Sequence, residues 1–181
     1  IYAILHDILA YDGLTTMVGD EGGFAPPGLT TRNALDYVAR AIEASGYVLG
    51  DQIGIALDPA ASEFFHRTDQ IYGLKRDGLN LSSDEMIDMY ESLVQNYPIV
   101  SIEDALAEDD WNGWVELTKR IGAEVQIVGD DIFATQEQHV ERGVQTGAAN
   151  AVLVKVNQVG TVTETLATME MAKKTGWGTI V

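Results

Sequence analysis

The sequence predicts an α/β fold in which short buried strands form a parallel sheet and amphipathic helices cover it. Three features carry that prediction. The strand candidates are brief and apolar throughout rather than alternating, which marks strands buried on both faces. Helical patterns with recognisable caps separate them. In the second half the units recur at the size of βα repeats, with Asp58, Glu103, Asp130 and Lys155 spaced 45, 27 and 25 residues apart. At this level an open doubly wound sheet and part of a (β/α) barrel are both admissible.

Ile4, Leu5, Ile8 and Leu9 have helical spacing, and Gly13 closes that segment. Residues 30–46 repeat the pattern with Ala34, Leu35, Val38, Ala41 and Ile42. A strand is expected over 53–57, then a hairpin over 63–77 that turns at Tyr72-Gly73 and Asp77-Gly78. Ser82 and Glu85 form a capping box for a helix carrying Met86, Ile87, Tyr90, Leu93 and Val94. Strands follow at 99–102, 125–128, 151–156 and 178–181. The helices between them start at Trp111, behind a cap by Asp109 or Asp110, at Thr135-x-x-Gln138 and at Thr161-x-x-Glu164. Trp111 and Trp114, at helical spacing, are expected in the core. His6, His66 and His139 share no motif and read as surface or loop residues.

Composition narrows the function. The 181 residues suffice for one domain with a real core. Eleven Lys plus Arg stand against 28 Asp plus Glu, a net charge of −17, which disfavours nucleic-acid backbones and anionic bilayers. With no cysteine, thiolate nucleophiles, disulfides and zinc–cysteine sites are excluded. No apolar run reaches bilayer length and no signal peptide is visible, so the expected compartment is the cytoplasm. The chain starts at Ile1 rather than Met and ends just after an apolar run.

The chemistry lies at the strand ends. Asp58, Glu103 and Asp130 each follow a predicted strand. Singly, such acids are more often helix caps or turn residues. Three at equivalent positions would converge on one mouth of a barrel, where they repel unless a cation neutralises them. All-oxygen ligands select a hard ion such as magnesium or manganese. Lys155 stands among residues expected to be buried, where desolvation would favour a neutral amine fit for a general base. The alternative is a lysine guarding a sheet edge. Asp20 and Glu21 ride a glycine-rich turn, expected after another short strand, that lacks the Gly-Lys-Ser/Thr ending of a phosphate loop.

Five motifs together resemble the enolase family in its bacterial form. They are Val18-Gly-Asp-Glu-Gly-Gly-Phe-Ala-Pro26, Ala56-Leu-Asp-Pro-Ala-Ala-Ser-Glu-Phe64, Ser101-Ile-Glu-Asp104 with Ala107-Glu-Asp-Asp-Trp111, Val128-Gly-Asp-Asp131, and Leu153-Val-Lys-Val-Asn-Gln-Val-Gly-Thr161. The resemblance spans essentially the whole chain, in the family's order. It implies part of a (β/α) TIM-like barrel, the enolase C-terminal barrel domain, left incomplete. It also implies Mg2+-dependent, reversible dehydration of 2-phosphoglycerate to phosphoenolpyruvate, a glycolytic hydro-lyase reaction.

By the family's pattern Asp58, Glu103 and Asp130 hold the metal that grips the substrate carboxylate. Lys155 resembles the base that takes the C2 proton, and Glu21 the group that assists loss of the hydroxyl. Glu21, Glu103, Asp130 and Lys155 would then all face the substrate. The resemblance further implies a homo-oligomer, dimeric or octameric, with cell-surface or secreted forms in some relatives. The family's capping domain, a further acid-step glutamate, a phosphate-binding Ser-His-Arg-Ser-Gly loop and a second lysine fall outside these residues. The expectation is therefore a central barrel fragment. Two alternatives stand beside it: another carboxylate-processing member of the superfamily, and an inactive or non-enzymatic binding or assembly segment.

Overall fold

The computed structural model describes residues 1–181. Its elements are α1 (Tyr2–Tyr11), α2 (Thr31–Ala44), β1 (Ile55–Leu57), β2 (Phe65–His66), β3 (Ile71–Leu74), β4 (Leu79–Leu81), α3 (Ser83–Asn96), β5 (Ile99–Glu103) and α4 (Trp111–Ile121). They continue with β6 (Gln126–Gly129), α5 (Glu137–Thr146), β7 (Ala151–Leu153), α6 (Val156–Val159), α7 (Val162–Lys174) and β8 (Gly178–Ile180). A 3-10 turn at Ala61–Phe64 links β1 to β2.

Strands β1-β5-β6-β7-β8 form one parallel sheet in that order. The arrangement is an open arc of a barrel wall: β1 and β8 are its two edges and do not pair. The strands are mostly apolar, in keeping with helices that cover the outer face. Ile102, Ile127 and Val152 from the sheet pack with Met86, Ile87, Tyr90 and Leu93 of α3, and with Trp114 and Leu117 of α4, in one core cluster. At about 25 cal/mol per Å² of apolar area, this burial is the main force holding the arc together. No helix is long and apolar enough to cross a membrane.

Local signals account for most element boundaries. Ser82 accepts from the Glu85 amide while the Glu85 carboxylate accepts from the Ser82 amide, as the capping box requires. Asp110, not Asp109, caps α4: one carboxylate oxygen accepts from Gly113 N at 3.1 Å. The other accepts from Tyr72 Oη at 2.8 Å and Ser83 Oγ at 2.5 Å. Trp114 is fully buried, whereas Trp111 is half-buried beneath the Arg142 guanidinium, 3.7 Å from its ring centre.

Four expectations are corrected. The excursion after β1 is a three-stranded antiparallel sheet, β2-β3-β4. Tyr72-Gly73 lies inside β3, and only Asp77-Gly78 makes a turn. The strand expected over 151–156 ends at Leu153, and the apolar Val156 begins the short helix α6 instead. Apolar continuity alone does not distinguish a strand from a helix start. Thr135 does not cap α5, which begins at Glu137 behind Gln136 with no side-chain cap. Finally, no named strand precedes the Gly19–Gly23 turn; a single bridge between Val18 and Phe24 closes it.

Candidate metal centre and active site

Side chains alternate faces along a strand, and pairing register decides which of them share a level. Leu57 pairs with Ile102, which sets Asp58 beside Glu103. Glu103 pairs with Val128, and Asp130 lies two residues further on. Gly129 pairs with Val152, and Lys155 stands three residues beyond it, just past the end of β7. Asp58, Glu103, Asp130 and Lys155 therefore come from the carboxyl ends of four adjacent strands and project to the same face.

The acids act on one another. Burial pushes the Asp58 carboxyl above its ordinary range, and the charges of Asp130 and Glu21 add to that push. Burial likewise raises Glu103, aided by Asp58 and Asp130. Lys155 opposes both shifts. Glu21 thus stands within electrostatic reach of Asp58 although 37 residues separate them in sequence. Its turn is pinned from outside: Gly22 adopts φ +78°, and Tyr2 Oη donates to the Gly22 carbonyl at 2.9 Å. The Tyr2 ring stacks on Phe24.

Lys155 departs from its expectation. Its side chain is 43% exposed, and Nζ donates to Asp130 Oδ2 at 2.5 Å. That hydrogen bond raises the lysine's pKa and outweighs desolvation, so the ammonium form is favoured rather than the neutral amine. The edge-guard alternative fails too, because β7 lies between β6 and β8.

Asp130, 6% exposed, has its other oxygen occupied as well: Gln158 Nε2 donates to Oδ1 at 2.7 Å. Thr135, fully buried at φ +55°, donates to Gln158 Oε1 at 2.6 Å and accepts from Lys155 N at 2.9 Å. Asp130, Lys155, Gln158 and Thr135 thus form one closed network.

A tighter acidic group lies alongside. Carboxylate oxygens of Asp104, Asp130 and Asp131 fall within 4.8 Å of one another, whereas neither Asp58 nor Glu103 belongs to a group so compact. Asp104 is 5% exposed, and both its oxygens already accept backbone N–H bonds, from Asp130 at 3.0 Å and Asp131 at 3.1 Å. Burial dominates even so and pushes its pKa up to about 7. Asp104, Thr135 and Gln158 are the site residues that sequence reasoning passed over. Asp104 sat inside an acidic stretch next to Glu103, and Thr135 inside a plausible cap. Gln158, three residues from Asp130's lysine partner in a conspicuous motif, carried only a faint signal.

Parallel βα units bearing carboxylates at the ends of successive strands define a segment of a (β/α) barrel with an acidic site at its carboxyl-terminal mouth. The chain belongs to the enolase C-terminal TIM barrel domain family, which it matches over residues 1–181. It is similar to Enolase 1 of Methanospirillum hungatei, with 53% identity over 181 residues that are all of this chain and 42% of that protein. Enolase 2 of the same organism is 49% identical and the Enolase of Natranaerobius thermophilus 48%, each over the same share of both chains. The chain thus spans 42% of the length of these curated relatives.

Proposed function

We propose that this chain is the central part of the catalytic barrel of a longer enolase, whose capping domain and last barrel strands belong to the remainder of the protein. The reaction is reversible, magnesium-dependent dehydration of 2-phosphoglycerate to phosphoenolpyruvate, a step of glycolysis, carried out by a cytoplasmic homo-oligomer. The observation that carries the reading is the strand register that sets Asp58, Glu103 and Asp130 at adjacent strand ends, with Lys155 Nζ on the Asp130 carboxylate.

The donor set fits magnesium. Asp58, Glu103 and Asp130 offer carboxylate oxygens alone, and the raised pKa values of Asp58 and Glu103 mark charges that a cation would relieve. Asp58, Glu103 and Asp130 would hold a divalent ion, and it would supply positive charge against Asp130's hold on the Lys155 proton and against the negative charge that develops beside the substrate carboxylate. Lys155, as the neutral amine, takes the proton from the carbon next to the substrate carboxylate. Glu21, on its pinned turn, donates a proton to the departing 3-hydroxyl, which leaves as water. Gln158 and Thr135 hold the Asp130 carboxylate and the Lys155 backbone in register while this happens.

The test is an assay of the full-length protein with 2-phosphoglycerate, following the ultraviolet absorbance of the enol phosphate product with and without magnesium. Magnesium-dependent turnover is expected, with C2 proton exchange lost in Lys155→Ala. Turnover of other hydroxy acids but none of 2-phosphoglycerate would overturn the reading, and exchange retained in Lys155→Ala would overturn the base assignment.

A further inference from the structure

We infer that Asp104 is a positioning residue that sets the spacing of the metal-ligating loops without being a ligand itself. The inference rests on the proposed roles of Glu103 and Asp130. Asp104 connects three βα loops. Its amide donates to the Val128 carbonyl at 3.0 Å, its carbonyl accepts from Ala61 N at 3.0 Å, and its carboxylate spans the consecutive amides of Asp130 and Asp131. Each loop carries one of the proposed ligands: Asp58 precedes Ala61, Glu103 precedes Asp104, and Asp130 offers the amide that Asp104 grips.

Simple packing does not explain the residue. A buried carboxylate is costly, and a non-glycine residue at φ +43° adds backbone strain. Asparagine tolerates that conformation equally well, but it would set an NH2 donor against one of the two amides that the separate oxygens now accept from. What needs aspartate here is the two-oxygen bracket, and what the bracket holds is the backbone that aims Asp130. Outer hydrogen-bond partners of ligating groups typically change metal affinity about 10- to 100-fold when removed.

The experiment is Mn2+ binding to the full-length protein, read by electron paramagnetic resonance, for wild type, Asp104→Asn, Asp104→Glu and Asp131→Asn. Circular dichroism establishes that each variant is folded. Asp131→Asn removes the same charge from the same neighbourhood but leaves the bracket intact. The expected result is about a 10- to 100-fold loss of Mn2+ affinity and an altered Mn2+ spectrum in Asp104→Asn, with a clearly smaller loss in Asp131→Asn. Asp104→Glu keeps the charge and misplaces the oxygens, so it should lose affinity too, and it decides the matter if Asp104→Asn does not fold. Equal losses in Asp104→Asn and Asp131→Asn would reduce the effect to charge and overturn the inference. Wild-type affinity and spectrum in folded Asp104→Asn or Asp104→Glu would also overturn it. A wild-type protein that binds no Mn2+ would remove the metal site itself, and this inference with it.

Discussion

Lys155 Nζ donates to Asp130 Oδ2 at 2.5 Å, and Gln158 occupies the other oxygen of the same carboxylate. In the proposed metal site the lysine and a cation would therefore compete for Asp130. Lys155→Met should strengthen Mg2+ binding while abolishing proton exchange, a combination that simple damage to the site would not produce. A half-exposed ion pair is worth about 1 kcal/mol, so the gain should be about fivefold. Titration calorimetry measures it, and weaker binding in the variant would contradict the competition.

Stability should fall as pH rises from about 4.5 to 7 in the absence of divalent ions. Asp104 binds its proton more tightly in the folded chain, with its pKa raised from 3.8 to about 7. Within that window the native state carries the extra proton, so raising the pH favours unfolding. Asp58, Glu103 and Asp131 shift in the same direction. The lowered carboxyls, such as Glu91 beside Arg120, act oppositely, but only below their ordinary value of 4.5. The change should be on the order of 3 kcal/mol. Urea unfolding across the range measures it, and Asp104→Asn should flatten the slope.

Gly129 should not tolerate a side chain. A methyl group there would come within 2.3 Å of Phe133 Cε2 and 2.6 Å of Ile132 Cγ2, both on side chains packed in the core. Gly129→Ala should cost about 1–3 kcal/mol of stability through overpacking. Because Asp130 follows directly, it should weaken metal binding as well. Thermal unfolding together with Mn2+ titration checks both effects.

Asp110→Ala should destabilise the fold without touching the acidic mouth. The change removes the cap of α4 and leaves the buried Tyr72 hydroxyl without its acceptor. The two losses together amount to about 2–4 kcal/mol. Asp110→Asn keeps one acceptor and should recover part of that difference in denaturant unfolding.

What the sequence by itself determined is the order of the elements and the residues at the strand ends. Short apolar runs, the capping box at Ser82, the cap at Thr161 and carboxylates after successive strands are local patterns, and local patterns are legible in one dimension. Where a run could serve two states, as at residues 151–156, the pattern did not decide, and tertiary packing closed the strand at Leu153. The protonation of Lys155 was also beyond the sequence, because it depends on a carboxylate 25 residues away across a strand pairing. The bracket from Asp104 to the amides of Asp130 and Asp131 belongs to the same category. A sequence shows which groups a chain carries, but which charges and amides meet is settled only when strand register brings distant segments within hydrogen-bonding distance.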